Sequence, residues 1–380
     1  MITLFKNTKL KNIVKIYSGN SINKKIKEKN YTGIENGVDY ISTKDIGFNY
    51  SINYDNGVKI PFNKIKSFKT APKNTVFICA EGGSAGRKIA ISNRELCFVN
   101  KLFAIVVSDK VIPKYIFYSI ISQDFFNRFK TQATGIIGGV SINKFKELEI
   151  LLPPITIQHK IVEKLDAIFA EIDKATELVD SNVKNAEALF RGFLHKFFLK
   201  IDNYNKPIKL SEIIKLEYGK GLKKSDRDLN GIYGAYGANG IKSKTNRYLY
   251  DKPSIIIGRK GSAGELTIVT EKFWALDVTY YVTHDDSKTD LYFLYYVLKI
   301  LNIPSLAKGI KPGINRNNVY DLLITIPKIN EQKLIVKNIF AFSNNLNLVI
   351  DLLKKKKIEL YSLKQSILKQ AFNGELVKVA

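Results

Sequence analysis

The sequence predicts an α+β fold: two mixed α/β domains joined by two long antiparallel, coiled-coil-like helices, with internal pseudo-two-fold symmetry. Three observations predict it. The 380-residue chain repeats itself, because Gly135, Asn143, Pro153 and Gln158 recur 174 residues later as Gly309, Asn317, Pro327 and Gln332. Each half closes on apolar residues stepping alternately by three and four, the seam of a paired helix. Ahead of each seam, short β-branched runs alternate with turn clusters.

Both halves begin alike. Lys9-Leu10-Lys11-Asn12-Ile13 through Gly19 lines up with Lys209-Leu210-Ser211-Glu212-Ile213 through Gly219 at an offset of 200. The offset falls to 178 at Gly83-Ser84-Ala85-Gly86 against Gly261-Ser262-Ala263-Gly264, then to 174 before the helix, so the first half carries 26 extra residues inside its globular part. Strands are expected at 75–80, 101–107, 254–258 and 280–283, and aromatic-rich helices at 113–130 and 289–302. Glycine loops 134–139 and 308–313 lead to the terminal helices.

The seams run through Leu165, Ile168, Ile172, Ala175, Val179, Asn182, Ala186, Leu189 and Phe193, and through Ile335, Ile339, Phe342, Leu346, Val349, Leu353, Lys356, Leu360, Leu363 and Ile367. Asn182 and Lys356 are polar seam positions of the kind that fix register. Pro327 stops a strand, and Asn330 reads as the N-cap of the second helix. Neither helix hides its stripe alone. The first leaves domain one for domain two, so the second must run back along it and return the C-terminus near domain one. About 39 residues at ~1.5 Å each make a rod of roughly 58 Å.

Net charge is +25, which favours a polyanionic partner, although the Lys, Ile and Asn bias of an AT-rich genome raises it too. A pseudo-symmetric reader matches the dyads of duplex DNA, with two similar surfaces meeting two half-sites. The two cysteines, Cys79 and Cys97, lie in apolar strand-like stretches and read as buried thiols in a reducing compartment. Lys6, Lys9, Lys11 and Lys15 interrupt any leader-like stretch, and no apolar run is long enough to span a bilayer. A cytoplasmic protein with no membrane association is expected.

The junctions Leu152-Pro153-Pro154…Gln158 and Ile326-Pro327…Asn330-Glu331-Gln332, with the terminal Leu363-Lys364-Gln365-Ser366-Ile367-Leu368-Lys369-Gln370-Ala371-Phe372, carry a family resemblance. The chain resembles the specificity (S) subunits of type I restriction–modification systems over essentially its whole length. Tyr236-Gly237-Ala238-Asn239-Gly240-Ile241 looks like the glycine-rich turn near the start of many of that family's target recognition domains. Ile41-Ser42-Thr43-Lys44-Asp45-Ile46-Gly47 is similar to a segment of another recognition-domain class. Two departures stand out: Ile157 where the second copy has Glu331, and Lys328 in place of a second proline.

The resemblance implies target recognition domains at 1–153 and 201–327, a central spacer helix at 154–200 and a distal one at 328–380. It implies a non-catalytic DNA-binding subunit that reads a bipartite, asymmetric site. The helices would dock two methyltransferase (M) subunits, which restriction (R) subunits join. S-adenosylmethionine would belong to M, and ATP and Mg²⁺ to R, with no cofactor on this chain.

Catalytic motifs are missing from the residues themselves. Leu152-Pro153-Pro154-Ile155 lacks the polar and aromatic residues of an adenine methyltransferase loop. Asp321 with Glu331-Gln332-Lys333 is a weak echo of a metal-dependent nuclease, and the first half has lost its acid. The turns 82–86 and 258–264 do not fit a P-loop and read as tight hairpins. His159, His195 and His284 are scattered, so no metal site is expected.

The positive case is DNA contact. In the second half Lys220, Lys223, Lys224, Arg227, Lys242, Lys244 and Arg247 crowd the loops around Tyr236 and Asn239, joined by Arg259, Lys260 and Arg316. In the first half Asn20, Lys24, Lys25, Lys44, Lys64, Lys66, Lys69, Arg87, Lys88, Asn143 and Lys144 take the corresponding part. Arginine reads guanine and asparagine reads adenine through bidentate bonds, while lysine mainly meets phosphate. For any single one of these a solvated surface residue is the plainer reading; the set outweighs it. Two alternatives stay open: the specificity half of a type II system with a separate cleavage subunit, and a coiled-coil scaffold that binds protein and shows no salt-dependent DNA affinity.

Overall fold

A computed structural model describes residues 5–134, 138–202 and 206–377, with no account of the side chains of 199–202; Gly135 of the first glycine loop lies outside the described residues. The chain divides into two units, residues 1–178 with 356–380, and residues 179–355.

In chain order the elements are β1 (Lys6–Lys9), β2 (Val14–Ser18), α1 (Lys24–Asn30), β3 (Val38–Ile41), β4 (Lys59–Ile60), β5 (Thr70–Ala71), β6 (Val76–Cys79), β7 (Ile89–Ile91), β8 (Leu96–Phe98), β9 (Leu102–Val107), α2 (Pro113–Ile120), α3 (Gln123–Thr131), α4 (Ile142–Lys146), β10 (Glu149–Leu152) and the long α5 (Ile155–Asp202). Then follow β11 (Ile208–Lys209), β12 (Ile214–Tyr218), β13 (Tyr233–Gly237), β14 (Gly240–Thr245), β15 (Ser254–Gly258), β16 (Leu266–Val269), β17 (Phe273–Ala275), β18 (Thr279–His284), α6 (Leu291–Ile300), α7 (Arg316–Tyr320), β19 (Leu323–Ile324) and α8 (Ile329–Phe372).

The two units share one topology. The first has a sheet ordered β2-β9-β6-β7, and the second has β12-β18-β15-β16. A second sheet in each is built around a parallel pair, β3 with β8 and β13 with β17. A short antiparallel pair closes each domain at its helix, β1 with β10 and β11 with β19. The all-buried strands β6 and β15 form the centre, which is why their sequences read as unbroken apolar runs. Gly19 and Gly219 follow β2 and β12 at a crossing with no room for a side chain. A Cβ would sit 1.8 Å from the Phe98 carbonyl oxygen in one and 2.0 Å from that of Leu276 in the other. Gly219→Ala is expected to lower the stability of the second unit by about 1–3 kcal/mol, read by denaturant titration.

Several expected elements change. The helix at 113–130 is two helices, because Ser122 caps α3 by accepting the Phe125 N–H at 3.2 Å. The helix at 289–302 ends at Ile300, and Asn302 takes a left-handed φ of 49° before a short 3-10 turn. The turns at 82–86 and 258–264 lie in connections of nine and seven residues, 80–88 and 259–265, so they are wider than hairpin tips. Helix α8 begins at Ile329, where the Lys328 carbonyl accepts the Glu331 and Gln332 N–H groups, which places Asn330 in the first turn rather than at the cap.

Both helices exceed the expected rod of about 39 residues, with 48 residues in α5 and 44 in α8, but α8 stops at Phe372, short of the 328–380 expected for the distal helix. Within the first unit Lys164 Nζ donates to the Leu376 carbonyl at 3.0 Å, and Lys364 Nζ pairs with Asp173. Within the second, Phe193 and Phe342 stack at 4.1 Å, and Leu194 and Ile339 share a buried cluster with Tyr296. Numbers rise on one helix as they fall on the other, so the pairing in each unit is antiparallel. In the first unit a Cβ on Gly374 would lie 3.1 Å from the Phe5 ring, so the C-terminal segment does return to domain one.

The seam holds in part. Leu165, Ile172, Val179, Ile339 and Leu360 are buried, and Ile168, Phe342, Leu346 and Leu353 are half-buried. Leu189 and Val349 are not seam residues: they are 58% and 48% exposed, and Leu363 is exposed as well. Phe190, Ile350 and Lys364 face inward instead. A helix drifts ~20° per heptad against a strict seven-residue repeat. In α5, Leu189 lies more than three heptads beyond Leu165, so the drift there amounts to most of the ~100° between neighbouring residues and the seam moves on by one; in α8 Leu360 stays buried three heptads after Ile339, and drift does not account for Val349.

One polar device recurs at both junctions. Gln158 and Gln332 are buried at the start of α5 and α8. Gln158 Oε1 accepts the Ile112 N–H at 3.0 Å, while its amide donates to the carbonyls of Lys110 and Pro153 at 3.2 and 2.9 Å. Gln332 does the same with the Asp290 N–H at 2.8 Å and the carbonyls of Lys288 and Pro327 at 2.9 and 2.8 Å. Each glutamine ties the helix, the preceding proline and the loop before α2 or α6 into one joint.

Candidate nucleic-acid interface

In the second unit the loops at one end of the β12-β18-β15-β16 sheet converge. Gly258 packs so closely on the β13–β14 hairpin tip that a Cβ would lie 2.9 Å from the Ala238 carbonyl oxygen. The Arg259 N–H donates to the Val278 carbonyl at 2.8 Å, and the Arg259 carbonyl accepts the Ile314 N–H at 3.0 Å. These bonds bring Asn239, Arg259, Lys260 and Arg316 to one corner. Between the arginines stands Tyr218, 48% exposed at the end of β12. The Arg259 and Arg316 guanidinium carbons lie 5.4 and 5.2 Å from its ring centre. Sequence reasoning missed Tyr218; its place as the last residue of a strand, beside Gly219, was the available signal.

The other predicted positions of this unit are dispersed. Tyr236 is corrected to a core residue. The pleat of β13 turns it inward, where it is buried with Ile256, Val269 and Phe273, and burial raises its phenol above the usual range, helped by Glu271. Asn239 is exposed at the hairpin tip, next to Gly240 with its φ of 98°. Lys242 and Lys244 are exposed along β14, and Lys223 and Lys224 are exposed beyond β12. Lys220 is exposed, and its carbonyl accepts the Trp274 indole N–H at 2.8 Å. Arg247 pairs with Asp226 at 3.1 Å and lies over Trp274, while Arg227 donates to the Leu222 carbonyl at 3.4 Å.

In the first unit the corresponding corner is less cationic. Asn20 is committed to the fold, since its side-chain oxygen accepts the Lys69 N–H at 2.8 Å. Lys69 Nζ donates to the Ser18 carbonyl at 2.9 Å. Asn143 and Lys144 are exposed on α4, which Ser141 caps. Glu81 stands beside Lys101 at 3.9 Å. Arg87 and Lys88 are drawn to a different place: Arg87 donates to the Gly83 carbonyl, Lys88 donates to the Thr43 carbonyl at 3.0 Å, and both lie over the exposed Phe48 ring. Lys24 and Lys25 open α1, Lys44 and Lys66 are exposed, and Lys64 lies over Tyr31 at 5.6 Å.

Among the described residues no group of three or more His, Cys, Asp or Glu side chains is placed to hold a metal ion. Asp321, of the nuclease-like pattern, pairs with Lys209 at 2.9 Å. Cys79 and Cys97 are buried free thiols, and burial raises the Cys97 thiol to about 12. No described helix is long and apolar enough to cross a membrane.

The duplicated frame and its two loop corners can be set against known proteins. The family model described as the type I restriction modification DNA specificity domain matches residues 3–179 and again 203–361. The chain belongs to that family. The specificity subunit of the type I restriction enzyme EcoprrI from Escherichia coli is 23% identical over 320 residues, covering 78% of each chain. The putative MjaX specificity subunit of Methanocaldococcus jannaschii is 23% identical over 301 residues, 70% of this chain and 69% of that one. The EcoDI specificity subunit of Escherichia coli is 28% identical over 176 residues, which is 46% of this chain but only 39% of the relative. Among solved structures, a chain from work on complex assembly and conformational transition of the type I R-M system matches with a TM-score of 0.77 at 17% identity, over 98% of both chains. The HsdS subunit from Thermoanaerobacter tengcongensis matches with a TM-score of 0.51 at 18% identity, over 98% of this chain and 97% of that one. The family model finds its two copies where the sheets repeat, so the internal duplication is the duplication of the specificity domain.

Proposed function

We propose that this member of the specificity family is a non-catalytic reader of duplex DNA that recognises a bipartite, asymmetric site and brings adenine methyltransferase subunits to it. The observation that carries the reading is one topology built twice with different chemistry at its loop corners. A repeated frame suits two half-sites, and unlike corners suit unlike sequences. The +25 charge supports a phosphate-bearing partner. Docking of methyltransferase subunits is supported by apolar side chains turned outward on the long helices, Leu348 and Leu352 in the second unit and Ile358 and Tyr361 in the first. S-adenosylmethionine then belongs to the methyltransferase, and ATP with Mg²⁺ to restriction subunits where these join.

Co-expression with the neighbouring methyltransferase gene, followed by mapping of adenine methylation across the host genome, tests this. A split, asymmetric motif methylated on both strands only in the presence of this chain is expected. A soluble, verified complex that adds no methylation would sink the delivery role and leave the scaffold reading. Restriction dependent on a partner that lacks an ATP-driven motor would instead point to the type II arrangement.

A further inference from the structure

The two units can be compared position by position, because the same backbone hydrogen bonds frame both corners. The Ala80 N–H donates to the Lys101 carbonyl at 2.9 Å and the Ala80 carbonyl accepts the Val140 N–H at 3.0 Å, as Arg259 does with Val278 and Ile314. Ser18 pairs with Phe103 as Tyr218 pairs with Tyr280. Asn143 aligns with Asn317, so Ile142 aligns with Arg316. Where the second unit has Arg259, Tyr218 and Arg316, the first has Ala80, Ser18 and Ile142. The frame needs none of the three, since it forms without them.

The three do not satisfy one another either. Two guanidinium groups held over one tyrosine ring repel, and an exposed cation–aromatic contact returns only about 0.5–1 kcal/mol. Arg259 is fixed in place: Nη2 donates to the Asp277 carbonyl at 2.7 Å, and its ring contacts include Tyr280 as well as Tyr218. Its Nε is buried with no partner. The Arg316 guanidinium makes no hydrogen bond or ion pair with any described residue and lies over Tyr218 and Tyr320, at 5.2 and 5.8 Å. The arrangement is a pair of uncompensated forks with restricted rotamers, which suits a dianionic stretch of phosphate backbone better than a base edge.

We infer that Arg259, Tyr218 and Arg316 form a preorganised phosphate anchor, so that the second unit grips the DNA backbone irrespective of sequence while the corresponding corner of the first unit supplies no such grip. This rests on the DNA-reading function proposed above. Pre-set guanidinium groups lose little side-chain entropy on meeting phosphate, and each contact releases counterions.

The test uses the full chain with two labelled duplexes of equal length, one carrying the methylated motif and one scrambled, titrated across sodium chloride concentrations. Each phosphate contact adds about 0.9 to the slope of log affinity against log salt. Arg259→Gln/Arg316→Gln is expected to flatten the slope by about 2 and to weaken both duplexes by about tenfold or more, to the same degree. Arg316→Gln alone removes a group with no hydrogen bond to lose, so it folds, and it is expected to flatten the slope by about 1. Lys354→Gln/Lys355→Gln removes the same charge from α8 and is expected to leave the slope near wild type. An unchanged slope in the arginine variants, or an equal loss in the lysine control, would overturn the anchor. A loss confined to the motif duplex would overturn it as well, by making these residues base readers. A wild-type chain with no salt-dependent affinity for either duplex would refute the DNA-reading function itself, and the anchor with it.

Discussion

Gln332→Leu is expected to destabilise the junction of α8 with its domain by about 2–5 kcal/mol. Leucine matches the volume and suits a buried site, but it strands the Asp290 N–H and the carbonyls of Lys288 and Pro327, all bonded to the glutamine amide. An unpartnered buried polar group costs about 1–3 kcal/mol, and the apolar gain of leucine offsets part of the sum. Gln332→Glu separates donor from acceptor. A carboxylate still accepts the Asp290 N–H but faces two carbonyls with nothing to donate; the protonated acid restores one donor, which can serve only one of those carbonyls, so it recovers the glutamine pattern in part. Its folded pKa is therefore raised above the unfolded value, the raised-pKa case, and its stability relative to wild type recovers as pH falls. Hydrogen exchange over residues 288–294 is the direct readout, because a two-unit chain has no single melting temperature that isolates one joint. Protection within about tenfold of wild type in Gln332→Leu would show that water takes over the three groups. Gln158→Leu should lose protection over 110–116 to a similar extent, since the joint is the same.

Leu368→Asp is expected to damage the domain far from it in sequence. Leu368 lies in the second helix, after domain two, yet it belongs to the first unit and is fully buried. Its neighbour Phe372 meets Tyr115 edge-on at 5.4 Å, and Gln365 accepts the Gln123 N–H at 2.9 Å. A buried, unpaired carboxylate with the loss of a leucine side chain costs on the order of 4 kcal/mol or more. Exchange should accelerate over α2, α3 and the first half of α5, while α6 keeps its protection. Acceleration in α6 with α2 intact would refute the antiparallel helix pairing.

The duplication, the helix junctions and the antiparallel return were legible because they leave periodic marks: repeated prolines and glutamines, and apolar steps of three and four. The seam failed at Leu189 because a heptad template ignores the slow drift of a helix of 3.6 residues per turn over more than three heptads; Val349 is exposed although Leu353 and Leu360 beyond it stay in phase, so drift is not its cause. The candidate interface was legible only as a field of charge. Arg259, Lys260, Arg316 and Asn239 converge, but Tyr236 looked like a loop aromatic and is a core residue of β13. Asn20 and Arg247 looked free and are bonded within the fold. Tyr218 went unnoticed because its value lies in two arginines that are 41 and 98 positions away in sequence, and only the loop crossings bring them together.

The division of the chain into a continuous unit and an interrupted one sets the order in which a ribosome can finish them. Residues 179–355 complete the second unit as soon as they emerge, whereas the first needs residues 356 onward to cover Leu165, Phe169 and Ile172. At roughly 5–20 residues per second the nascent first domain waits about 10–40 s with that stripe bare. The half made first is therefore the half that matures last, and it is the one that chaperones or early-arriving subunits would meet unfinished.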